Sequence, residues 1–86
     1  MPEISRFYGI VVRMYFEEHP PPHFHAYYAG QEALIDFRRV SLYAGRLPPR
    51  ALGLVMEWTA LHQEELDRLW DAARQQQALW SVDPLP

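Results

Sequence analysis

The sequence predicts an α+β domain: a three- to four-stranded, mostly antiparallel sheet with a C-terminal helix or helices packed on one face. Three observations carry this. Apolar residues alternate with a period of two in the first half of the chain. From Arg50 to about Gln76 there is no proline, and apolar residues recur at helical spacing. Prolines and glycines fall between these segments. The 86 residues fit one domain, residues 1–86, with strands over about 7–43, a helical region over about 49–76 and an extended tail over 78–86.

In the stretch GIVVRMYF, residues 9–16, Ile10, Val12, Met14 and Phe16 share one face, and Val11, Arg13 and Tyr15 share the other. That is a half-buried strand. Pro20, Pro21 and Pro22 cannot donate to a ladder, so they form the connection that follows. HFHAYY and EALIDFR read as the second and third strands. Gly30 and Gln31 between them fit a type II′ hairpin turn, which needs glycine first. Such a turn sets Phe24 opposite Phe37, Ala26 opposite Ile35 and Tyr28 opposite Ala33, all on the apolar face. On the other face it pairs His23 with Arg38, His25 with Asp36, and Tyr27 with Leu34. A slip of one residue would mix the faces.

RVSLYAGRL reads as a short fourth strand or an irregular hairpin around Ala44 and Gly45. Pro48 and Pro49 suit the first turn of a helix, where a missing N–H costs nothing. Ala51, Val55, Trp58, His62, Leu66, Leu69 and Ala73 form the stripe expected to face the sheet. The stretch forms either one long helix or two, with a break near Leu61 to Gln63. Leu79 and Trp80 are expected to pin the tail.

Composition narrows the chemistry. With 49% apolar and 14% aromatic residues the chain can bury a core. There is no cysteine, which excludes disulfides, thiolate metal sites and cysteine nucleophiles. The opening residues lack the pattern of a signal peptide, and their apolar run is too short to span a bilayer. A cytoplasmic protein with no membrane role is therefore expected. The net charge of -3 disfavours an obligate nucleic-acid binder. Residues 1–50 nevertheless carry six arginines against five acids, and Arg38, Arg39, Arg46 and Arg50 cluster. No Gly-rich phosphate loop and no Ser-His-Asp pattern is present.

His23 and His25, two apart on a strand, point to one face beside Tyr27. The expected register adds Asp36 and Arg38, and Arg13 and Tyr15 come from the neighbouring strand. A carboxylate beside His25 would orient its ring for proton transfer. Arginines among aromatic surfaces could hold the phosphates and bases of RNA. His23, His25, Asp36 and Arg38 are thus the catalytic candidates, in the manner of a metal-independent ribonuclease. Arg13, Tyr15, Tyr27 and Arg39 are the substrate- or partner-binding candidates. The same residue types form interface cores, so a non-enzymatic binding or regulatory domain is the alternative reading. The third reading is a metal site of His23, His25 and His62 for zinc or manganese, should the histidines converge. Otherwise His62 is a core histidine, and no cofactor is required.

The stretches MPEISRFYGIVVRMYF, HPPPHFHAYYAGQEALID and GRLPPRALGLVMEWTALHQEEL resemble a family of short bacterial proteins, domain of unknown function 4160. PPHFH at 21–25 and LHQEEL at 61–66 are the most specific parts. The family usually has a polar residue before two prolines, where this chain has three prolines at 20–22. The resemblance implies a small cognate protein encoded nearby, and hence a two-gene module of toxin–antitoxin type. The expected function is action through the His/Arg/Tyr sheet face on RNA or on that partner. The aromatic face also predicts a homodimer if no partner covers it.

Overall fold

A computed structural model describes residues 2–86. Five strands form one sheet in the order β1 (Glu3–Phe7), β2 (Ile10–Arg13), β3 (His23–Tyr28), β4 (Gln31–Asp36) and β5 (Ser41–Gly45). All neighbours are antiparallel. Helices α1 (Pro49–Leu61) and α2 (Gln63–Arg74) follow. The α+β class holds, with five strands where three or four were expected.

The additional strand is β1. Tyr8 and Gly9, with φ of 51° and 80°, make a two-residue turn that pairs Phe7 with Ile10. Positive φ at both central residues is the type I′ geometry that matches strand twist. The strand EISRF hides its period because Ser5 is buried beside Ile4. The cause lies far along the chain: the Ser5 hydroxyl donates to the Val82 carbonyl at 3.0 Å.

The β3–β4 hairpin turns on Ala29 and Gly30, with φ of 50° and 77°, rather than on Gly30 and Gln31. Phe24 accordingly pairs with Ile35, Ala26 with Ala33, and Tyr28 with Gln31. On the other face His23 pairs with Asp36, His25 with Leu34, and Tyr27 with Glu32. The expected pairs are displaced by two residues. Because the side-chain period is also two, every residue keeps its expected face.

The apolar face of the sheet carries Ile10, Val12, Phe24, Ala26, Ala33 and Ile35, all buried against the helices. Trp58 packs edge-on to Phe24, with ring centroids 5.5 Å apart at 87°. Both Trp58 and Trp70 belong to this core. Phe16 was expected inside but is exposed, because β2 ends at Arg13 and the chain bends at Glu17, where φ is 59°.

Pro49 opens α1 and the helical run breaks at His62. Gln63 secures the break by donating its side-chain N–H groups to the carbonyls of Phe37 and Arg38, at 2.9 and 3.1 Å. Glu64 and Glu65 in the first turn of α2 and Arg74 in the last complement its dipole. The tail is held by buried Val82 and Leu85 and by partly buried Leu79 packed on the core, and exposed Trp80 still ties it to α2 by donating its indole N–H to Glu65 Oε2 at 2.9 Å. Val82 N–H donates to the Ile4 carbonyl at 2.7 Å, so the tail covers the outer edge of β1. No described helix is long and apolar enough to cross a membrane.

Candidate functional site

The sheet face away from the core places Arg13 from β2, His23, His25 and Tyr27 from β3, and Glu32 and Leu34 from β4 side by side. The segment linking β2 to β3 brings Tyr15 and Glu18 onto it. Tyr15 and Tyr27 share a hydrogen bond of 2.6 Å between their hydroxyls. The guanidinium of Arg13 stacks over the Tyr27 ring at 5.1 Å. Burial chiefly, and then the neighbouring Tyr15 and Glu32, push the Tyr27 hydroxyl's pKa well above the usual phenol value.

His25 stands at the centre, its ring edge-on to Tyr15 at 4.6 Å. Its Nδ1 donates to Glu32 Oε2 at 2.7 Å, and its Nε2 lies 2.5 Å from Glu18 Oε1. The hydrogen bond from His25, helped by the Tyr27 hydroxyl, holds the Glu32 carboxyl below its ordinary pKa. A neutral imidazole donates through one nitrogen only. With Nδ1 committed to Glu32, Nε2 and the Glu18 oxygen need a proton carried by one of them, or a cation between them, to make their contact.

His23 is only 4% exposed. Its Nδ1 meets the Pro21 carbonyl at 2.7 Å, and because a carbonyl only accepts, Nδ1 is the donor. Nε2 has no hydrogen-bond partner. Glu18 Oε1 lies 3.4 Å away, near enough for ionic attraction but not aligned for a hydrogen bond. Among the described residues, Glu18, His23 and His25 each offer one ligand atom within 4.8 Å of the others, a potential metal-ligand group, and Nε2 of both histidines approaches the same Glu18 oxygen.

Asp36 lies opposite His23 and not beside His25. It caps the β4–β5 turn, its Oδ1 accepting from the backbone N–H groups of Arg38 and Arg39 at 3.0 Å each. That is the Asx-type role that suits a short acid at a strand end. The proposed His25–Asp36 pair is therefore corrected to His25 with Glu18 and Glu32. Arg38 turns to α2, where Nε donates to Asp67 Oδ1 at 2.7 Å. Arg39 projects into solvent, 3.9 Å from Asp36.

His62 does not join the other histidines. It sits at the helix junction with its ring 5.3 Å from that of Trp58, on the core side of the sheet. The expected convergence of His23, His25 and His62 is thus corrected as well, since the group that gathers potential ligand atoms is Glu18, His23 and His25. The sequence alone does not mark Glu18 and Glu32 as partners of His25. The spacing E-x4-H-x-H was visible, but only the fold-back of residues 17–22 gives it meaning.

The fold and site define a small α+β protein with an antiparallel meander, helices on one face and a His/Tyr/Glu cluster on the other. A family model, Domain of unknown function (DUF4160), matches residues 9–71, and the chain belongs to that family. The match takes in every residue of the cluster and leaves out β1 and the tail. No curated protein and no solved structure matches the chain.

Proposed function

We propose that the domain is one component of a two-gene module of toxin–antitoxin type, and that it docks its small cognate protein on the open sheet face. The observation behind this reading is the half-buried group of Arg13, Tyr15, His25 and Tyr27, which lies outside the hydrophobic core cluster. Arg and Tyr are the residue types that anchor interface cores. The Arg13 guanidinium lies over the Tyr27 ring within this group, a cationic and aromatic pair of the kind that anchors interfaces.

Action on RNA is the less favoured reading. Both ring nitrogens of His25 face carboxylates, and those carboxylates would repel a phosphate. The net charge of -3 adds to that repulsion.

Co-expression with the product of the adjacent reading frame tests the proposal. A stoichiometric complex is expected, and Tyr27→Ala should weaken it by about 2 kcal/mol, the scale of an interface hot spot. Light scattering separates a heterocomplex from a homodimer of this chain. A folded chain that binds no partner and cleaves RNA would transfer the site to the nuclease reading.

A further inference from the structure

We propose that Glu18, His23 and His25 form a binding site for a single first-row divalent cation of the zinc class. The proposal does not depend on what the sheet face docks.

Two observations point to a cation rather than to a proton. The first is the pair of oriented imidazoles. His23 Nδ1 bonds the Pro21 carbonyl and His25 Nδ1 bonds the Glu32 carboxylate, each at 2.7 Å. Metal-ligating histidines are held in this way, the outer nitrogen donating to a carbonyl or carboxylate and the inner one free to ligate. Both inner nitrogens turn toward the same Glu18 oxygen.

The second is the buried, partnerless Nε2 of His23. A proton shared by His25 and Glu18 would explain their short contact but would leave this atom unsatisfied, at a cost of roughly 1–3 kcal/mol. A cation in the cluster satisfies all three ligand atoms together.

The dimensions agree. Ligands about 2.1 Å from a tetrahedral ion stand about 3.4 Å apart. The distance from His23 Nε2 to Glu18 Oε1 is 3.4 Å. The His25–Glu18 contact, at 2.5 Å, has to lengthen as the ion replaces the proton, and Glu18 lies on a connecting segment between strands. Imidazole and carboxylate together suit zinc, cobalt, iron or manganese better than magnesium or calcium. Three protein ligands leave a further position for water or an incoming group.

The purified full-length chain, stripped with chelator, should be titrated with cobalt(II) chloride and zinc chloride. The expected result is one equivalent of cobalt, visible as ligand-field absorption, displaced by zinc, and a rise in the thermal midpoint on loading. Glu18→Gln and His25→Gln should each weaken binding at least tenfold. Glu32→Gln, which acts by positioning His25, should weaken it about 10–100-fold. His19→Ala and His62→Gln should bind as the wild type does. Circular dichroism confirms that each variant is folded, and partly exposed Glu18 decides the matter should His25→Gln unfold. Absence of saturable one-equivalent binding overturns the proposal. So does equal affinity in folded Glu18→Gln and wild type.

Discussion

Gly45 lies so close to the backbone of Glu32 that a Cβ atom built on it would overlap the Glu32 carbonyl oxygen. Its φ of 76° lies in the left-handed region as well. The next residue exploits the approach, since Arg46 N–H donates to that same carbonyl at 3.0 Å. The backbone of Glu32 is thereby fixed from β5, while its side chain orients His25. Gly45→Ala should destabilise the domain by about 2–4 kcal/mol, combining steric overlap with backbone strain. At roughly 4–8 °C per kcal/mol for a domain of this size, the loss is easily read in a thermal melt. Gly53 is the control, with open space around its Cβ position in the middle of α1. There Gly→Ala should stabilise by about 0.5–1 kcal/mol. Equal melting of the two variants would mean that the β4–β5 approach is looser than described.

Ala29 is the least comfortable residue of the β3–β4 hairpin, with φ of 50°. A residue with a Cβ gives up about 1–2 kcal/mol in this conformation, and asparagine tolerates it better. Ala29→Asn creates the Asn-Gly pair that type I′ turns favour. It should raise stability by about 0.5–1 kcal/mol, whereas Ala29→Val should lower it by at least as much. Denaturant titration of both variants checks the turn type. A type II′ turn on Gly30 and Gln31 would leave residue 29 extended and reverse the preference for valine.

The hairpin also shows what a sequence determines and what it leaves open. Face assignment survived a displaced register, because alternation fixes parity and a shift of two residues preserves it. Pairing across the strands depends on the turn, and Ala29 gives no sign that it accepts a positive φ. Asp36 faces His23 instead of His25 for that reason alone. The helical stripe was legible because Ala51, Val55, Trp58, Leu66 and Leu69 repeat over several turns, and all five are buried. β1 was not, since Ser5 owes its burial to a tail residue 77 positions away. The histidines were visible as a motif. Their carboxylate partners were not, because Glu18 reaches them through a bend and Glu32 through the register.

The tail gives the last prediction. Without residues 78–86, β1 would be an open edge strand with an exposed backbone ladder. The tail covers this edge through Val82 N–H to the Ile4 carbonyl and through the Ser5 hydroxyl to the Val82 carbonyl. It also accepts the Trp58 indole N–H on the Asp83 carbonyl at 2.8 Å, and buries Val82 and Leu85. Burying two such side chains contributes about 3–6 kcal/mol. Total stability for a chain of this length is on the order of 4–13 kcal/mol, so removing the tail should leave a marginal fold. The truncated chain should melt far below the full chain and should self-associate with rising concentration through the bared β1 edge. Val82→Ala is the milder comparison. It removes apolar contact at a cost of about 1–2 kcal/mol but keeps the backbone bond to Ile4. It should therefore melt lower while keeping the oligomeric state of the full chain. Light scattering over a concentration series, run beside thermal melts, separates lost burial from a lost edge cover. A truncated chain that melts with the full one would show that the tail contributes nothing to the fold.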